Sequence, residues 1–167
     1  IRDLDSFTFN LDKKINIYSN RGASGIDGLI STAIGVSINN KSFNALIIGD
    51  VSFYYDLTAL NIANNIPVSL AIFVINNNGG HIFDRLDGLK NQSKSNYEKY
   101  WLTPVNLDIK SIAKAFNCHY HKIDLNQYEK IDKIINQVNI KDKKINLIEI
   151  MVDSKKHHLD SKEIEDR

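Results

Sequence analysis

The sequence is poor in cysteine, in charge imbalance and in long apolar runs, and each shortage excludes a class of protein. Its single cysteine, Cys118, excludes an internal disulfide and a cysteine-based metal site. No apolar run approaches the length of a membrane span, and the first residues do not resemble a signal or transit peptide. The net charge is only +1, and no basic stripe with interleaved aromatics is present, which argues against nucleic acid as a partner.

Methionine is also scarce, since Met151 is the only one and residue 1 is isoleucine. We therefore expect this chain to be a piece of a longer polypeptide. Its 167 residues, 43% of them apolar, suffice for one domain with a buried core. Lysine outnumbers arginine by 17 to 4, as in a coding sequence rich in A and T. That composition suits a small bacterial genome or a plastid, so we expect a bacterial cytoplasmic or plastid protein.

Strand and helix patterns alternate along the chain, which predicts an α/β fold. We expect one doubly wound, mainly parallel sheet of about five or six strands flanked by helices. The strand candidates are residues 15–18, 45–48, 70–75, 119–123 and 145–152, and the helix candidates are residues 25–38, 53–64, 108–116 and 128–138. Residues 84–104 show no clear period and read as a lid or an interface loop.

Oxygen-bearing side chains follow two of the strand candidates. Asp50 closely follows the candidate at residues 45–48, and Asn77, 27 positions later, closely follows the candidate at residues 70–75. Because the carboxyl ends of parallel strands share one edge of a sheet, both side chains can reach one ligand. Carboxylate, amide and carbonyl oxygens suit Mg²⁺, which often bridges to phosphates, so a magnesium diphosphate is predicted. Ser52 is a candidate helix cap beside it. The alternative is that Asp50 only turns the chain and residues 76–80 are an ordinary loop.

Two further features give weaker signals. Residues 19–28 form a glycine-rich turn before a helix, where backbone can approach a ligand closely. Their spacing fits neither the dinucleotide fingerprint nor a P-loop. His119 and His121 alternate onto one face of a strand candidate, but without a third donor a half-buried sheet edge is the better interpretation.

The pairs Gly49-Asp50 and Asn76-Asn77 resemble the metal signature of the thiamine diphosphate-dependent enzymes. Within that family, residues 19–28 and 76–83 are most similar to the synthases of menaquinone and phylloquinone biosynthesis. The resemblance covers residues 1–152 and implies a carboxyl-terminal cofactor-binding domain, followed by a charged tail at 153–167. It also implies that the amino-terminal pyrimidine-binding domain and the central domain of these enzymes are absent from this chain.

The resemblance implies a role for each matching residue. Asp50, Asn77 and the carbonyl of Gly79 would hold Mg²⁺, with Mn²⁺ as an alternative. Ile26 would support the bent form of thiamine diphosphate, and Ile82 and Phe83 would line the wall beside it. The other cofactor contacts would come from Ser24, Gly25, Gly49, Val51, Ser52 and Gly80. Substrate contacts would come from Arg2, Arg21, Ile82 and Phe83. The two arginines would bind the substrate carboxylates, because guanidinium groups bind carboxylates bidentately.

The implied reaction is the decarboxylation of 2-oxoglutarate and the addition of its succinyl-semialdehyde unit to isochorismate. In this family the activating glutamate comes from the pyrimidine-binding domain of a partner subunit, in a homodimer or homotetramer. We therefore expect no catalytic residue in this chain and no turnover by the chain alone. The alternatives are a non-catalytic remnant or split subunit that still binds magnesium thiamine diphosphate, and a related enzyme of the acetolactate synthase type. A phosphotransfer domain would need further carboxylates and a strand-end lysine, which the sequence lacks.

Overall fold

The computed structural model describes residues 15–20, 25–40, 42–84, 86–89, 92–138 and 142–154. These residues form a four-stranded sheet with the strand order β1-β2-β4-β3. All three neighbouring pairs are parallel, as the alternating pattern predicts. The strands are β1 (Asn44–Gly49), β2 (Leu70–Asn76), β3 (His119–Ile123) and β4 (Asn146–Met151).

Helices connect the strands and cover both faces of the sheet. The α-helices are α1 (Leu29–Asn39), α2 (Asp50–Asp56), α3 (Lys94–Tyr100), α4 (Ile109–Ala115) and α5 (Ile131–Gln137). Short 3₁₀ helices occupy Leu57–Asn64, His81–Phe83, Asp87–Leu89 and Tyr128–Lys130. No helix in the described ranges is long and apolar enough to cross a bilayer.

Apolar side chains form a core on each face of the sheet. On one face, Ile30 and Ile34 from α1, Phe53 from α2 and Ile109 from α4 pack against the strands. On the other face, Ile134 from α5 packs with Ala71, Ile123 and Ile148. The central strands β2 and β4 are therefore buried on both sides, which explains their continuous apolar runs. The doubly wound α/β fold is confirmed.

The number of strands and the first strand candidate differ from expectation. The described residues contain four strands rather than five or six, and residues 15–20 form no strand. Ile15, Ile17 and Tyr18 are 57%, 78% and 65% exposed. A strand needs a neighbour for its backbone hydrogen bonds, and these residues pair with none of the described strands.

Two helices begin at other residues than the pattern predicts. Helix α1 begins at Leu29 rather than near residue 25, because Gly28 adopts a φ of 71°, which is left-handed and outside the helix. The crossover begins at Asp50 rather than at Phe53 and continues as the 3₁₀ helix Leu57–Asn64. Residues 84–104 are not a bare loop, since they contain α3.

The site at the carboxyl ends of β1 and β2

Asp50 lies at the junction between β1 and α2. The backbone of Gly49 is still extended, and the helix begins at Asp50 itself. Asp50 is 3% exposed. Its Oδ1 accepts a hydrogen bond of 2.9 Å from the N–H of Val51, and its Oδ2 accepts one of 2.8 Å from the N–H of Gly79. The carboxylate therefore joins the end of β1 to the turn that follows β2.

Burial makes the charged form of Asp50 costly. Desolvation raises the pKa of Asp50, while the hydrogen bonds from Gly79 and Val51 and the nearby His81 ring oppose that shift. Asp50 forms no ion pair with the Lys, Arg or His side chains that the structure describes. A bound cation would offset the desolvation of this carboxylate, so its environment fits a metal ligand.

The turn after β2 takes a conformation that only certain residues tolerate. Asn78 has a φ of 59°, and its N–H donates 3.0 Å to Oδ1 of Asn76. Gly79 has a φ of 139°, and a Cβ at this position would lie 2.6 Å from the carbonyl oxygen of Leu102. Glycine is required here by both the dihedral angle and the space, which explains the glycine after the asparagines.

The segment that follows α3 covers this turn. The N–H of Gly80 donates 2.6 Å to the carbonyl of Leu102, and the N–H of Asn106 donates 3.1 Å to Oδ1 of Asn78. Leu102, near the end of the predicted lid or interface loop, and Asn106, just beyond it, thus contact the turn of the candidate metal site.

The side chains of His81, Asp84 and Tyr97 form a series of hydrogen bonds that ends at the backbone carbonyl of Asn77. The Nε2 atom of His81 lies 3.1 Å from the carbonyl oxygen of Asn77, and its Nδ1 lies 2.8 Å from Oδ2 of Asp84. The hydroxyl of Tyr97 donates to Oδ1 of Asp84. Burial, followed by this bond to Asp84, raises the pKa of Tyr97, so the phenol stays protonated as a donor.

This series of hydrogen bonds was not predicted from the sequence. The i, i+3 spacing of His81 and Asp84 on one helical turn is a signal that could have indicated their contact. Tyr97 lies 13 positions beyond Asp84, and no local pattern indicates that pair.

The donors at this edge fit Mg²⁺. They are one carboxylate, one side-chain amide and one backbone carbonyl, all hard oxygen ligands. The structure places Gly79 in direct contact with Asp50, and Asn77 lies between Asn76 and that glycine on the same turn. No group of three or more His, Cys, Asp or Glu side chains among the described residues could hold a metal ion. The predicted ligands need no such group, because Asp50 is their only acidic side chain.

The predicted residues that precede β2 in the sequence, other than Gly49 and Asp50, fall into three sets. Val51 and Ser52 are half-buried in the first turn of α2. The prediction that Ser52 caps this helix is wrong, because Gly49 is the capping residue and no side chain caps the helix. Gly25 and Ile26 lie exposed in the bend before α1, and they form none of the hydrogen bonds described above at the ends of β1 and β2. Arg2, Arg21 and Ser24 lie outside the described residues.

Ile82 and Phe83 follow the turn directly. Ile82 is 62% exposed, so it is not part of the core. Phe83 is half-buried, and its ring meets that of Trp101 edge to face, with centroids 5.5 Å apart and an interplanar angle of 77°. Ile82 and Phe83 therefore offer apolar surface directly after the turn, as the predicted wall beside a ligand requires.

Comparison with known proteins decides the family. The model of the carboxyl-terminal thiamine pyrophosphate (TPP) binding domain of thiamine pyrophosphate enzymes matches residues 6–150. The chain belongs to this family. The matched region contains both strand ends and all but the last residue of the sheet described above. The predicted membership in the thiamine diphosphate-dependent enzymes is therefore confirmed.

Curated relatives carry a more specific name. The chain is 43% identical to 2-succinyl-5-enolpyruvyl-6-hydroxy-3-cyclohexene-1-carboxylate synthase of Christiangramia forsetii over 88% of its length, and 38% identical to the synthase of that name from Leuconostoc mesenteroides over 98%. It spans only 25% and 29% of those two proteins.

A solved structure supports the fold. An X-ray structure described as that of a thiamin diphosphate-dependent enzyme from Mycobacterium smegmatis superposes with a TM-score of 0.55 over 74% of this chain and 21% of its own. The two sequences are 16% identical, so this likeness concerns the fold of the thiamine pyrophosphate enzymes alone.

Proposed function

We propose that this chain is the carboxyl-terminal cofactor-binding domain of a synthase that decarboxylates 2-oxoglutarate and adds the succinyl-semialdehyde unit to isochorismate, in menaquinone or phylloquinone biosynthesis. The names of the curated relatives support this assignment. The observation that carries it is the hydrogen bond from Gly79 to the buried Asp50, which brings two proposed metal ligands together.

In this proposal Asp50 and Asn77 bind Mg²⁺ through their side chains and Gly79 through its carbonyl. Val51 and Ser52 lie beside Asp50 in the first turn of α2 and contact the diphosphate. When bound, thiamine diphosphate supplies the electron sink for decarboxylation and carbon–carbon bond formation, and the protein supplies placement and charge. The apolar wall at Ile82 and Phe83 excludes water from the reacting centre.

The remaining cofactor and substrate contacts rest on the family resemblance. Gly25 and Ile26 approach the cofactor from the bend before α1, and Ser24 is a further proposed cofactor contact. Arg2 and Arg21 bind the carboxylates of 2-oxoglutarate and isochorismate. The domain comprises residues 1–152, and residues 153–167 are a tail outside it. We expect a location in a bacterial cytoplasm or a plastid.

Activity requires parts that this chain does not supply. We propose that a pyrimidine-binding domain of a partner subunit provides the activating glutamate, in a homodimer or homotetramer. The chain alone is therefore expected to bind magnesium thiamine diphosphate weakly and to turn over nothing. Release of CO₂ from 2-oxoglutarate by residues 1–167 alone would contradict this expectation.

The decisive experiment uses the full-length gene product. Product analysis after incubation with 2-oxoglutarate, isochorismate, Mg²⁺ and thiamine diphosphate should show the carboxylate product named in the relatives. An acetolactate synthase relative would form none of this product and would instead condense pyruvate in a parallel incubation with pyruvate. A remnant or split subunit would bind the cofactor in calorimetry without forming any product.

A pair of variants tests the metal ligand. Asp50→Asn should weaken Mg²⁺ and cofactor binding by about 10-fold or more, since it removes the only charged ligand. Asp132→Asn, on the exposed face of α5, removes the same charge away from the site and should bind as the wild type does. Equal binding by the Asp50→Asn variant and the wild type would overturn the proposed metal site.

A further inference from the structure

A second buried carboxylate lies close to the proposed metal site. Glu149 stands on β4, opposite Val74 of β2 and Lys122 of β3, and is 6% exposed. It forms no ion pair with a Lys, Arg or His side chain of the described residues. A carboxylate in such a place is costly unless hydrogen bonds satisfy it.

Two side chains from neighbouring strands satisfy Glu149. The Nδ2 atom of Asn76 donates 2.7 Å to Oε1 of Glu149, and the hydroxyl of Tyr120 donates to Oε2. The three residues stand on β2, β4 and β3, so the connection runs across the sheet. Burial and the bond to Glu149 raise the pKa of Tyr120, which keeps its phenol available as a donor.

Glu149 determines which way the Asn76 amide faces. A carboxylate only accepts hydrogen bonds, so Asn76 must turn its NH₂ group towards Glu149. Its Oδ1 then faces the other way, where it accepts 3.0 Å from the N–H of Asn78. The carbonyl of Asn76 is held as well, because the N–H of Val152 donates 2.9 Å to it. The orientation of one amide thus fixes the turn that begins at Asn77.

We propose that Glu149, supported by Tyr120, is a positioning residue for the metal-binding turn. It acts through the amide of Asn76, whose fixed orientation places the Asn77 side chain and the Gly79 carbonyl for the cation. This inference rests on the proposed function, because it assumes that the turn holds Mg²⁺. Glu149 itself touches neither the cation nor the cofactor.

A purely structural role predicts a different result. If Glu149 only stabilised the fold, Glu149→Leu would lower the free energy of unfolding, because Asn76 and Tyr120 lose their acceptor, but it would leave the metal affinity of the folded variant unchanged. In Glu149→Leu the Asn76 amide loses its acceptor and is free to rotate, so the turn loses its fixed geometry. Metal affinity should then fall even at temperatures where the variant is fully folded.

The test measures Mn²⁺ binding to the full-length gene product by electron paramagnetic resonance, with thiamine diphosphate present. Partners that orient metal ligands typically contribute 10- to 100-fold to affinity, so Glu149→Leu should weaken Mn²⁺ binding by about 10-fold or more. Glu149→Gln retains an oxygen for Asn76 and should stay within about threefold of the wild type. Glu129→Gln, at an exposed position, controls for the loss of one negative charge.

A double-mutant cycle with Asn76→Ala isolates the path through the amide. If Glu149 acts through Asn76, the variant that combines Glu149→Leu with Asn76→Ala should have the same Mn²⁺ affinity as the single variant with the lower affinity. Additive losses would overturn the proposal, and so would a Glu149→Leu variant that binds Mn²⁺ as the wild type does. Should Glu149→Leu not fold, wild-type affinity in Asn76→Ala would overturn it.

The same data separate this inference from the proposed function. If the wild type binds no Mn²⁺ with the cofactor, the proposed function fails and the positioning role fails with it. If the wild type binds and the Glu149 and Asn76 variants bind equally well, only the positioning role is overturned.

Discussion

The backbone N–H of Gly79 and the carboxylate of Asp50 are joined by a hydrogen bond of 2.8 Å across 29 positions of sequence. The two residues follow β2 and β1, which are parallel neighbours in the sheet. Register therefore brings the two strand ends together, and the hydrogen bond fixes their distance. The turn at Gly79 and the carboxylate of Asp50 are therefore coupled. A substitution that shifts the turn should also shift the carboxylate.

Gly79→Ala should disrupt this relationship. The new Cβ would meet the Leu102 carbonyl oxygen at 2.6 Å, and the φ of 139° is strained for any residue with a side chain. We expect a loss of about 1–3 kcal/mol in the free energy of unfolding, measured by urea denaturation. Mn²⁺ affinity should fall as well, because the Gly79 carbonyl is a proposed ligand.

Gly35→Ala is the matched control for that substitution. Gly35 lies within α1, and a Cβ there would meet nothing within 4 Å. Alanine favours the helix over glycine, so this variant should be more stable than the wild type by about 0.5–1 kcal/mol. A Gly79→Ala variant as stable as Gly35→Ala would contradict the assigned strain at Gly79.

The sheet could be predicted because its strands carry local signals. Strand β3 agrees residue for residue with the predicted His119 to Ile123, where the two histidines alternate onto one face. The site at Asp50 and Asn77 followed from the rule that parallel strands end at one edge. Residues 15–18 carry the same kind of signal but form no strand, because strand formation also depends on a neighbour that local sequence does not specify.

The side-chain networks could not be predicted in this way. Glu149 and Tyr120 are 29 positions apart, and their contact depends on the pairing of β3 with β4. Asparagine is abundant throughout the chain, so composition does not single out Asn76, which links Glu149 to the metal-binding turn. Such contacts require the register of the strands before they can be inferred.

Cys118 should react slowly with alkylating reagents. Burial raises the pKa of its thiol to about 11, although the charge of Lys144 opposes the shift. Since the thiolate is the reactive form, iodoacetamide at about pH 8 should modify Cys118 about 100-fold more slowly than a free thiol with a pKa of about 8.5. Mass spectrometry can follow the reaction, and full reactivity should return in urea. Cys118→Ser controls for other sites, and a rate equal to that of free cysteine would contradict the prediction.

Asp108 should contribute stability that depends on pH. It caps α4, with Oδ2 accepting 2.6 Å from Ser111 Oγ and Oδ1 accepting 3.0 Å from Ser111 N–H. These bonds lower the pKa of Asp108. A lowered pKa in the folded state means that the contribution is complete above the unfolded pKa and is lost as the pH falls through the folded pKa.

Asp108→Ala should therefore lower Tm most above about pH 5, and its difference from the wild type should shrink towards about pH 3. Thermal melts followed by circular dichroism across this range would measure the difference. Asp108→Asn keeps an acceptor for the cap but does not titrate, so its Tm should lack this pH-dependent component. A difference between Asp108→Ala and the wild type that grows on acidification would refute the assignment.

Asp84→Ala should release His81 and Tyr97 together. Asp84 accepts hydrogen bonds from Tyr97 and lies 2.8 Å from the His81 ring, and its side chain is 27% exposed. Removing an acceptor shared by two partly buried groups should cost about 1–3 kcal/mol in the free energy of unfolding. The pKa of Tyr97 should also fall towards its ordinary value, which a titration of phenolate absorbance compared with the wild type would detect.

The same variant should weaken Mn²⁺ binding several-fold, because His81 then loses the partner that holds it against the Asn77 carbonyl. Glu98→Ala is the control on α3. The side chain of Glu98 is 50% exposed, and its contact with Lys94 is long at 3.7 Å. That variant should change stability by no more than about 0.5 kcal/mol and leave Mn²⁺ affinity unchanged. If Asp84→Ala behaves like Glu98→Ala in both measurements, the hydrogen bonds of His81, Asp84 and Tyr97 play no part in holding the turn.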